Sequence, residues 1–258
     1  MRIVVKVGTS TLAHATGRLN IRRVESLCRV LSDLKNAGHE IILVSSGAIG
    51  MGVGKLGLSQ KPSDIPTKQA AAAVGQCELM YTYDKLFEEY HHTVAQILLT
   101  GADFKQADRY ENFRNTMDRL LDLSVLPIIN ENDTIATDEI KVGDNDTLSA
   151  MVAVGIKAEL LVLLSDIDGL YTADPHLDPD ATLIGRVESL SDEILAAAGG
   201  EGSTLGTGGM RTKLAAAAIC MEADCDMVIM NGKEPDALYA LFDGKSIGTR
   251  FIGKREKQ

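Results

Sequence analysis

The sequence predicts an α/β fold, a three-layer α/β/α sandwich around a mainly parallel central sheet. Short runs rich in β-branched residues alternate with longer segments of helical periodicity along the 258 residues. The short runs are apolar throughout, which is typical of strands buried on both faces of a parallel sheet. No linker rich in Pro or Ser and no internal repeat divides the chain. We therefore expect one continuous domain.

The elements follow from this pattern in chain order. The first strand is predicted at residues 3–7 (IVVKV), and Gly38 is expected to end the helix after it in a left-handed conformation. The further strands are predicted at 41–44, 94–99, 125–129, 160–164 and 227–230. The helices are predicted at 24–34, 69–83, 112–123, 147–156, 210–223 and 235–242.

Composition excludes several classes of function. The net charge is −10, the aromatic fraction is 4% and Trp is absent, which disfavours binding to nucleic acid or to an anionic membrane surface. The four cysteines form no C-x-x-C pair, and no apolar run approaches the ~20 residues of a membrane span. We expect a reduced, cytoplasmic protein with no nucleic-acid or membrane partner.

Candidate chemistry lies where the predicted strands end, because ligands of open parallel sheets bind beyond the carboxyl ends of the strands. Lys6 interrupts an apolar strand, and a buried lysine is costly unless a charge compensates it. Glycines at 206–209 open a helix whose first turn carries Lys213, where the helix dipole disfavours a cation unless an anion is bound. Both lysines are also compatible with solvated surface positions. We favour a site for phosphate.

Two polar islands, at 130–133 (NEND) and 143–146 (GDND), combine carboxylates with amides. Such side chains suit an α-amino acid, whose ammonium needs acceptors and whose carboxylate needs donors. The alternative is a pair of solvated turns rich in Asn and Asp. The five histidines form no metal-binding pattern, and neither island has the spacing of a calcium loop.

A dinucleotide site is a weaker alternative. Residues 52–57 (GVGKLG) match G-x-G-x-x-G, but they begin well after the second strand has ended. The same segment fails as a P-loop, because Ile49 stands where a glycine is needed and Leu56 stands where Ser or Thr must follow the lysine.

Taken together, the motifs resemble the glutamate 5-kinases of the amino-acid kinase family. The matching segments occur in the family's order and cover residues 1 to about 252. They are KVGTS at 6–10, SSGAIGMG at 45–52, NENDT at 130–134, VGDNDTLSA at 142–150, SDIDGLYTADP at 165–175 and GTGGMRTK at 206–213.

The resemblance implies a role for each matching residue. The catalytic residues would be Lys6 and Lys213, which contact the ATP phosphates, and Asp146, which orients both lysines. Glutamate would be held by Ser46, Asp133 and Asn145. Besides Lys6, the ATP site would comprise Ser165, Asp166, Thr207, Gly208, Gly209, Met210, Arg211, Thr212 and Lys213. Mg²⁺ is expected mainly through the ATP phosphates.

The implied reaction is phosphorylation of the side-chain carboxylate of L-glutamate by ATP, which gives L-glutamyl 5-phosphate in the first step of proline biosynthesis. Residues 1–258 would form a single kinase domain, with a glutamate-binding part at roughly 1–160 and an ATP-binding part at roughly 161–252. Many such enzymes carry a C-terminal PUA domain, and we expect none here. The resemblance also implies a homo-oligomer, dimer or tetramer, and feedback inhibition by proline.

Alternatives remain open from the sequence. Within the same fold, the substrate could be N-acetylglutamate, aspartate or UMP. A non-catalytic amino-acid or nucleotide sensor is a second class, although a sensor has little need for both Lys6 and Lys213.

Overall fold

The computed structural model describes residues 1–14, 18–136, 145–175, 177–197 and 209–254. Its strands are β1 (Arg2–Val7), β2 (Glu40–Ser45), β3 (Val94–Leu99), β4 (Leu126–Glu131), β5 (Leu160–Ser165), β6 (Arg186–Val187), β7 (Asp226–Asn231) and β8 (Thr249–Phe251). Its helices are α1 (Thr9–Leu12), α2 (Ile21–Asn36), α3 (Ala48–Lys55), α4 (Ile65–Glu88), α5 (Ala107–Asp122), α6 (Asn145–Gly155), α7 (Asp192–Ala197), α8 (Met210–Glu222) and α9 (Ala237–Phe242).

The strands form one sheet in the order β3-β4-β2-β1-β5-β7-β8-β6, and every pairing is parallel except that of β7 with β8. Successive side chains of a strand point to opposite faces. Val4 accordingly packs in one apolar core with α5, α6 and α8, whereas Ile3 and Val5 pack in a second core with α2, α4 and α9. The sheet is buried on both faces, which confirms the predicted three-layer sandwich.

All six predicted strands are present, with ends that differ by no more than two residues. The structure also contains elements that the sequence pattern did not indicate, namely α1, α3, α7, β6 and β8. Four of these five elements have six residues or fewer, too short to display a period. The other, α3, contains Gly50, Gly52 and Gly54, and glycine disfavours a helix interior.

One glycine of α3, Gly52, and one glycine of α4, Gly75, serve the packing of these two helices. A Cβ on Gly52 would overlap the carbonyl oxygen of Ala71 in α4, and a Cβ on Gly75 would overlap that of Ala48 in α3. The two helices therefore cross in direct backbone contact. Because residues 52–55 lie inside a helix and not in a turn after a strand, the G-x-G-x-x-G match does not form a dinucleotide-binding turn.

The parallel topology brings the functional segments to one edge of the sheet. Strands β1, β2, β4 and β5 are neighbours whose carboxyl ends lie at that edge, and they carry Lys6, Ser45, Asn130 and Ser165. Within the described ranges, no helix has the length and apolarity that crossing a membrane requires.

Candidate active site

The two sequence-predicted lysines converge on one carboxylate. Lys6 Nζ lies 2.6 Å from Asp146 Oδ1, and Lys213 Nζ lies 3.1 Å from Asp146 Oδ2. All three residues are buried, with Asp146 at 0% exposure, Lys213 at 6% and Lys6 at 9%. We call this group the lysine clamp, and it joins residues 140 and 67 positions apart in the chain.

Three elements position the clamp. Lys6 lies near the carboxyl end of β1, Asp146 lies in the first turn of α6, and Lys213 lies in the first turn of α8. A carboxylate is favoured at a helix N-terminus, whereas a lysine there is opposed by the dipole of its own helix. The positive charge of Lys213 at this position therefore needs a nearby anion to stabilise it. The carboxylate of Asp146 is one such anion.

The pKa of Asp146 reflects these neighbours. Burial acts to raise the pKa of this carboxyl, but the charges of Lys6 and Lys213 and their hydrogen bonds outweigh burial, so that the pKa is lowered below its ordinary value. The hydroxyl of Thr212 lies 2.9 Å from Asp146 Oδ2 and 2.8 Å from the carbonyl oxygen of Gly209. Asp146 therefore stays ionised and holds the ends of both lysines.

The clamp brings two ammonium groups to one carboxylate. Ammonium groups near the carboxyl ends of parallel strands are suited to an anion such as a phosphate. Gly8 follows β1 beside one of these groups: a Cβ there would stand 3.6 Å from Lys6 Nζ. The absent side chain leaves room for a ligand to approach.

A neutral network of side chains lies next to the clamp. Asn145 Nδ2 lies 2.8 Å from Ser46 Oγ and 2.9 Å from Asn130 Oδ1. Asn130 in turn places its Nδ2 2.9 Å from Oε1 of Gln76 in α4, and its Oδ1 accepts the backbone N–H of Glu131 at 2.9 Å. We call Gln76, Asn130, Asn145 and Ser46 the amide network. Of the predicted glutamate-binding residues, Ser46 and Asn145 are thus in contact.

The third of these residues, Asp133, lies half-buried in the turn two residues beyond β4. This turn leaves the same edge of the sheet as the amide network, because β4 also carries Asn130.

The predicted ATP residues fall on two elements of this edge. Ser165 ends β5, and its hydroxyl donates to Asp166 Oδ1 at 3.1 Å. Gly209 caps α8, which begins at Met210, and Arg211 is exposed in its first turn. Thr207 and Gly208 lie outside the described residues, as do positions 143 and 144 of the second polar island.

Sequence reasoning missed Gln76. It occupies an otherwise apolar stripe of α4, with Ala72, Leu79, Tyr83 and Phe87 as its buried neighbours along the helix. A lone glutamine at a helical spacing of apolar residues is a weak signal by itself, but it is the signal that could have found this residue.

A cavity of about 540 Å³ lies beside the site, between α1, α3 and the segment after α3. Thr9, Gly47 and Gly50 line it together with apolar side chains such as Leu12 and Met51. None of the predicted site residues within the described ranges lines this cavity.

Comparison with known proteins shows the family of the chain. The family described as the "Amino acid kinase family" matches residues 1–231. A glutamate 5-kinase of Clostridium tetani is 56% identical over 249 residues, 96% of this chain and 93% of the relative. A glutamate 5-kinase of Listeria monocytogenes is 50% identical over 260 residues, and that of Caldanaerobacter subterraneus is 52% identical over 252 residues, 68% of the relative's length.

Two solved structures share the fold at low sequence identity. A carbamate kinase from Giardia lamblia bound to AMP-PNP gives a TM-score of 0.67 at 18% identity and covers 98% of both chains. An isopentenyl phosphate kinase of T. acidophilum gives 0.60 at 16% identity, covering 97% of this chain and 99% of the other. On the family match and the close relatives, the chain belongs to the amino acid kinase family and, within that family, falls among the glutamate 5-kinases.

Proposed function

We propose that this protein transfers the γ-phosphoryl group of ATP to the side-chain carboxylate of L-glutamate, which gives ADP and L-glutamyl 5-phosphate. The lysine clamp is the observation that carries the proposal. Two buried ammonium groups, held 2.6 and 3.1 Å from the same carboxylate, offer positive charge at the place where the phosphate chain would lie.

The reaction needs no general base. A glutamate side chain has a pKa of about 4.3 and is already ionised at neutral pH. The obstacle is repulsion between two anions, since each pair of unit like charges at ~4 Å costs about 4 kcal/mol at an effective dielectric of about 20. Lys6 and Lys213 offset this repulsion, and most of all in the transition state, where charge spreads over the transferring phosphoryl oxygens.

Mg²⁺ enters this proposal as part of the substrate, MgATP. Among the residues that the structure describes, no group of three or more His, Cys, Asp or Glu side chains could hold a metal. Both oxygens of Asp146 are occupied by the lysines. The ion would be held chiefly by the phosphates, where it neutralises charge on the β- and γ-oxygens.

The amide network is the proposed glutamate site, together with Asp133. A carboxylate of the substrate would accept hydrogen bonds from Ser46, and Asp133 would accept from the substrate ammonium. An N-acetylated substrate has no ammonium, so this assignment disfavours the N-acetylglutamate alternative. The glutamate 5-kinase relatives at 50–56% identity also favour glutamate.

The finer organisation follows from the resemblance. We propose that a part at roughly 1–160 binds glutamate and a part at roughly 161–252 binds ATP, with Lys6 of the first part reaching the ATP phosphates. The homo-oligomer and feedback inhibition by proline are carried over in the same way. The cytoplasmic location is proposed from the sequence composition. Proline shares an α-carboxylate and an ammonium with glutamate and would compete for the same groups.

One assay tests the proposed function. Purified protein with MgATP and a panel of amino acids is assayed for ADP release, with hydroxylamine added to trap an acyl phosphate as the hydroxamate. Glutamate-dependent hydroxamate is the expected result. Turnover with N-acetylglutamate but not with glutamate would overturn the substrate assignment, and nucleotide binding without any turnover would favour the sensor.

A further inference from the structure

The amide network extends from the sheet edge into helix α4, and its far end is Gln76. Gln76 is 8% exposed and lies on the side of α4 that contacts the sheet. It is hydrogen-bonded to Asn130, which is hydrogen-bonded in turn to Asn145. None of the motifs that resemble the family includes Gln76. The question is what a buried glutamine contributes at that position.

The direction of every hydrogen bond in the network follows from one backbone group. An amide side chain can present either its oxygen or its nitrogen to a neighbour, so the polarity of the network must be set by a group that can only donate. The backbone N–H of Glu131 is such a group, and it lies 2.9 Å from Asn130 Oδ1. The oxygen of Asn130 must therefore face Glu131, and its nitrogen must face Gln76.

The remaining bonds are then determined in sequence. Asn130 Oδ1 also faces Asn145, so Asn145 presents its nitrogen there, and the same nitrogen lies 2.8 Å from Ser46 Oγ. Ser46 Oγ consequently accepts from Asn145. The single hydroxyl proton of Ser46 is left to donate to another acceptor, and a substrate carboxylate is such an acceptor.

At the other end, Gln76 supplies the acceptor that holds the amide of Asn130 in this orientation. Its Oε1 lies 2.9 Å from Asn130 Nδ2. Without an acceptor at this place, the buried N–H of Asn130 is unsatisfied. A full turn of the amide is opposed by the N–H of Glu131, so the amide gains by shifting toward another partner. Such a shift would misplace Asn145 and weaken its hydrogen bond to Ser46.

We infer that Gln76 is a positioning residue for the acceptor substrate: through Asn130 and Asn145 it fixes the Ser46 hydroxyl as a hydrogen-bond donor to a substrate carboxylate. This inference rests on the proposed function. It assigns Gln76 to recognition of the acceptor and not to ATP or to the chemical step, because the network reaches Ser46 without passing through the lysine clamp.

The first test is Gln76→Met, which keeps the length of the side chain and removes the acceptor. The glutamate KM is expected to rise by about tenfold, the effect of one lost hydrogen bond to a charged group. The ATP KM and kcat are expected to stay within about threefold of the wild-type values, because Gln76→Met does not alter any residue of the lysine clamp.

Tyr83→Phe is the matched control. Tyr83 lies on the same face of α4, two turns further on, and its hydroxyl forms a buried hydrogen bond of 2.8 Å with Ser45. The control also removes one buried hydrogen bond between α4 and the sheet, but it does not break the network. Its glutamate KM is expected to remain within about twofold of wild type at a comparable loss of stability.

A double-mutant cycle with Ser46→Ala tests whether Gln76 acts through Ser46. Gln76→Met is expected to have no further effect on glutamate KM in the Ser46→Ala background, because the donor that it orients is gone. Additive effects would overturn the proposed route. An unchanged glutamate KM in Gln76→Met, or an equal rise in Tyr83→Phe, would overturn the inference itself.

If Gln76→Met does not fold, Gln76→Asn decides the question, since it keeps the amide but withdraws it by one methylene from Asn130. The same rise in glutamate KM is expected, and its absence would refute the role of Gln76. Failure of the proposed function looks different, since the wild-type protein would then form no glutamate-dependent hydroxamate.

Discussion

Two neighbouring residues of helix α6 face two different kinds of site. Asn145 joins a network that consists of neutral groups, and Asp146 joins two cations in the lysine clamp. Consecutive residues of a helix point about 100° apart, so one turn of one helix can serve both. Both residues are buried, with Asn145 at 8% exposure and Asp146 at 0%.

The difference shows how burial is used for two tasks. In the clamp, low solvent exposure strengthens charges that act on an anion, at the cost of having to hold two lysines next to a carboxylate. In the amide network, no charge is buried, and the orientation of dipoles is set by satisfied hydrogen bonds. We expect changes in the clamp to act on turnover, and changes in the network to act on affinity for glutamate.

Removing a lysine of the clamp should have the largest effect. Lys213→Ala is expected to lower kcat by about 100- to 1,000-fold, the usual cost of losing one group that stabilises transition-state charge. The glutamate KM should change little. Steady-state kinetics with both substrates varied would measure this, with the exposed Lys245→Ala as the control.

A variant Lys213→Ala with near wild-type turnover would remove Lys213 from the catalytic set. A defect confined to glutamate KM would contradict the expectation that the clamp acts on turnover and the amide network on affinity for glutamate.

Placing a charge in the amide network tests whether this region must be neutral in order to bind glutamate. Asn145→Asp is nearly isosteric, but it sets a carboxylate against Asn130 Oδ1 and against the incoming substrate carboxylate. Repulsion of about 2 to 3 kcal/mol corresponds to a rise in glutamate KM of roughly 30- to 140-fold. Asn145→Ala, which removes the hydrogen bonds without adding charge, should show a smaller rise. Equal effects would mean that the neutrality of the network is unimportant.

Asp133 tests the proposed contact with the substrate ammonium. Asp133→Ala is expected to raise glutamate KM by about tenfold, as for loss of one charge-assisted hydrogen bond, while kcat stays close to wild type. Asp122→Ala removes a carboxylate that is 71% exposed at the end of α5 and serves as the control. A defect only in ATP affinity would contradict the assignment of the polar islands to glutamate.

The sequence predicted the clamp better than the network, for a physical reason. Lys6 is conspicuous because a charged residue interrupts an apolar strand, and Lys213 follows a run of glycines that opens a helix. Gln76 has no such context, since a single glutamine in an Ala-rich helix is compatible with a solvated position. Its role depends on α4 lying against β4, which is a tertiary contact that no local pattern encodes.

The same contrast holds for the fold. The six long strands are predictable because burial on both faces demands continuous apolar runs. Helix α3 was not predictable, because its three glycines weaken helix propensity and the need for Gly52 is visible only in its direct contact with Ala71 and Gly75 of α4.

The smallest of the four expected effects is a difference between the two regions in how acid changes stability. The pKa of Asp146 is lowered in the folded protein, so its ionisation contributes stability that is present above the unfolded pKa and is lost as the pH falls through the folded one. With an unfolded pKa of about 3.9, the loss begins near pH 4.

The difference in unfolding free energy between wild type and Asp146→Asn should therefore shrink between pH 7 and pH 3, as measured by urea denaturation. The corresponding difference for Tyr83→Phe should stay constant over this range, because neither Tyr83 nor Ser45 titrates there. If the two differences changed in parallel, acid would be acting on the sheet and α4 as a whole, and the lysine clamp would not be the acid-sensitive part of the site.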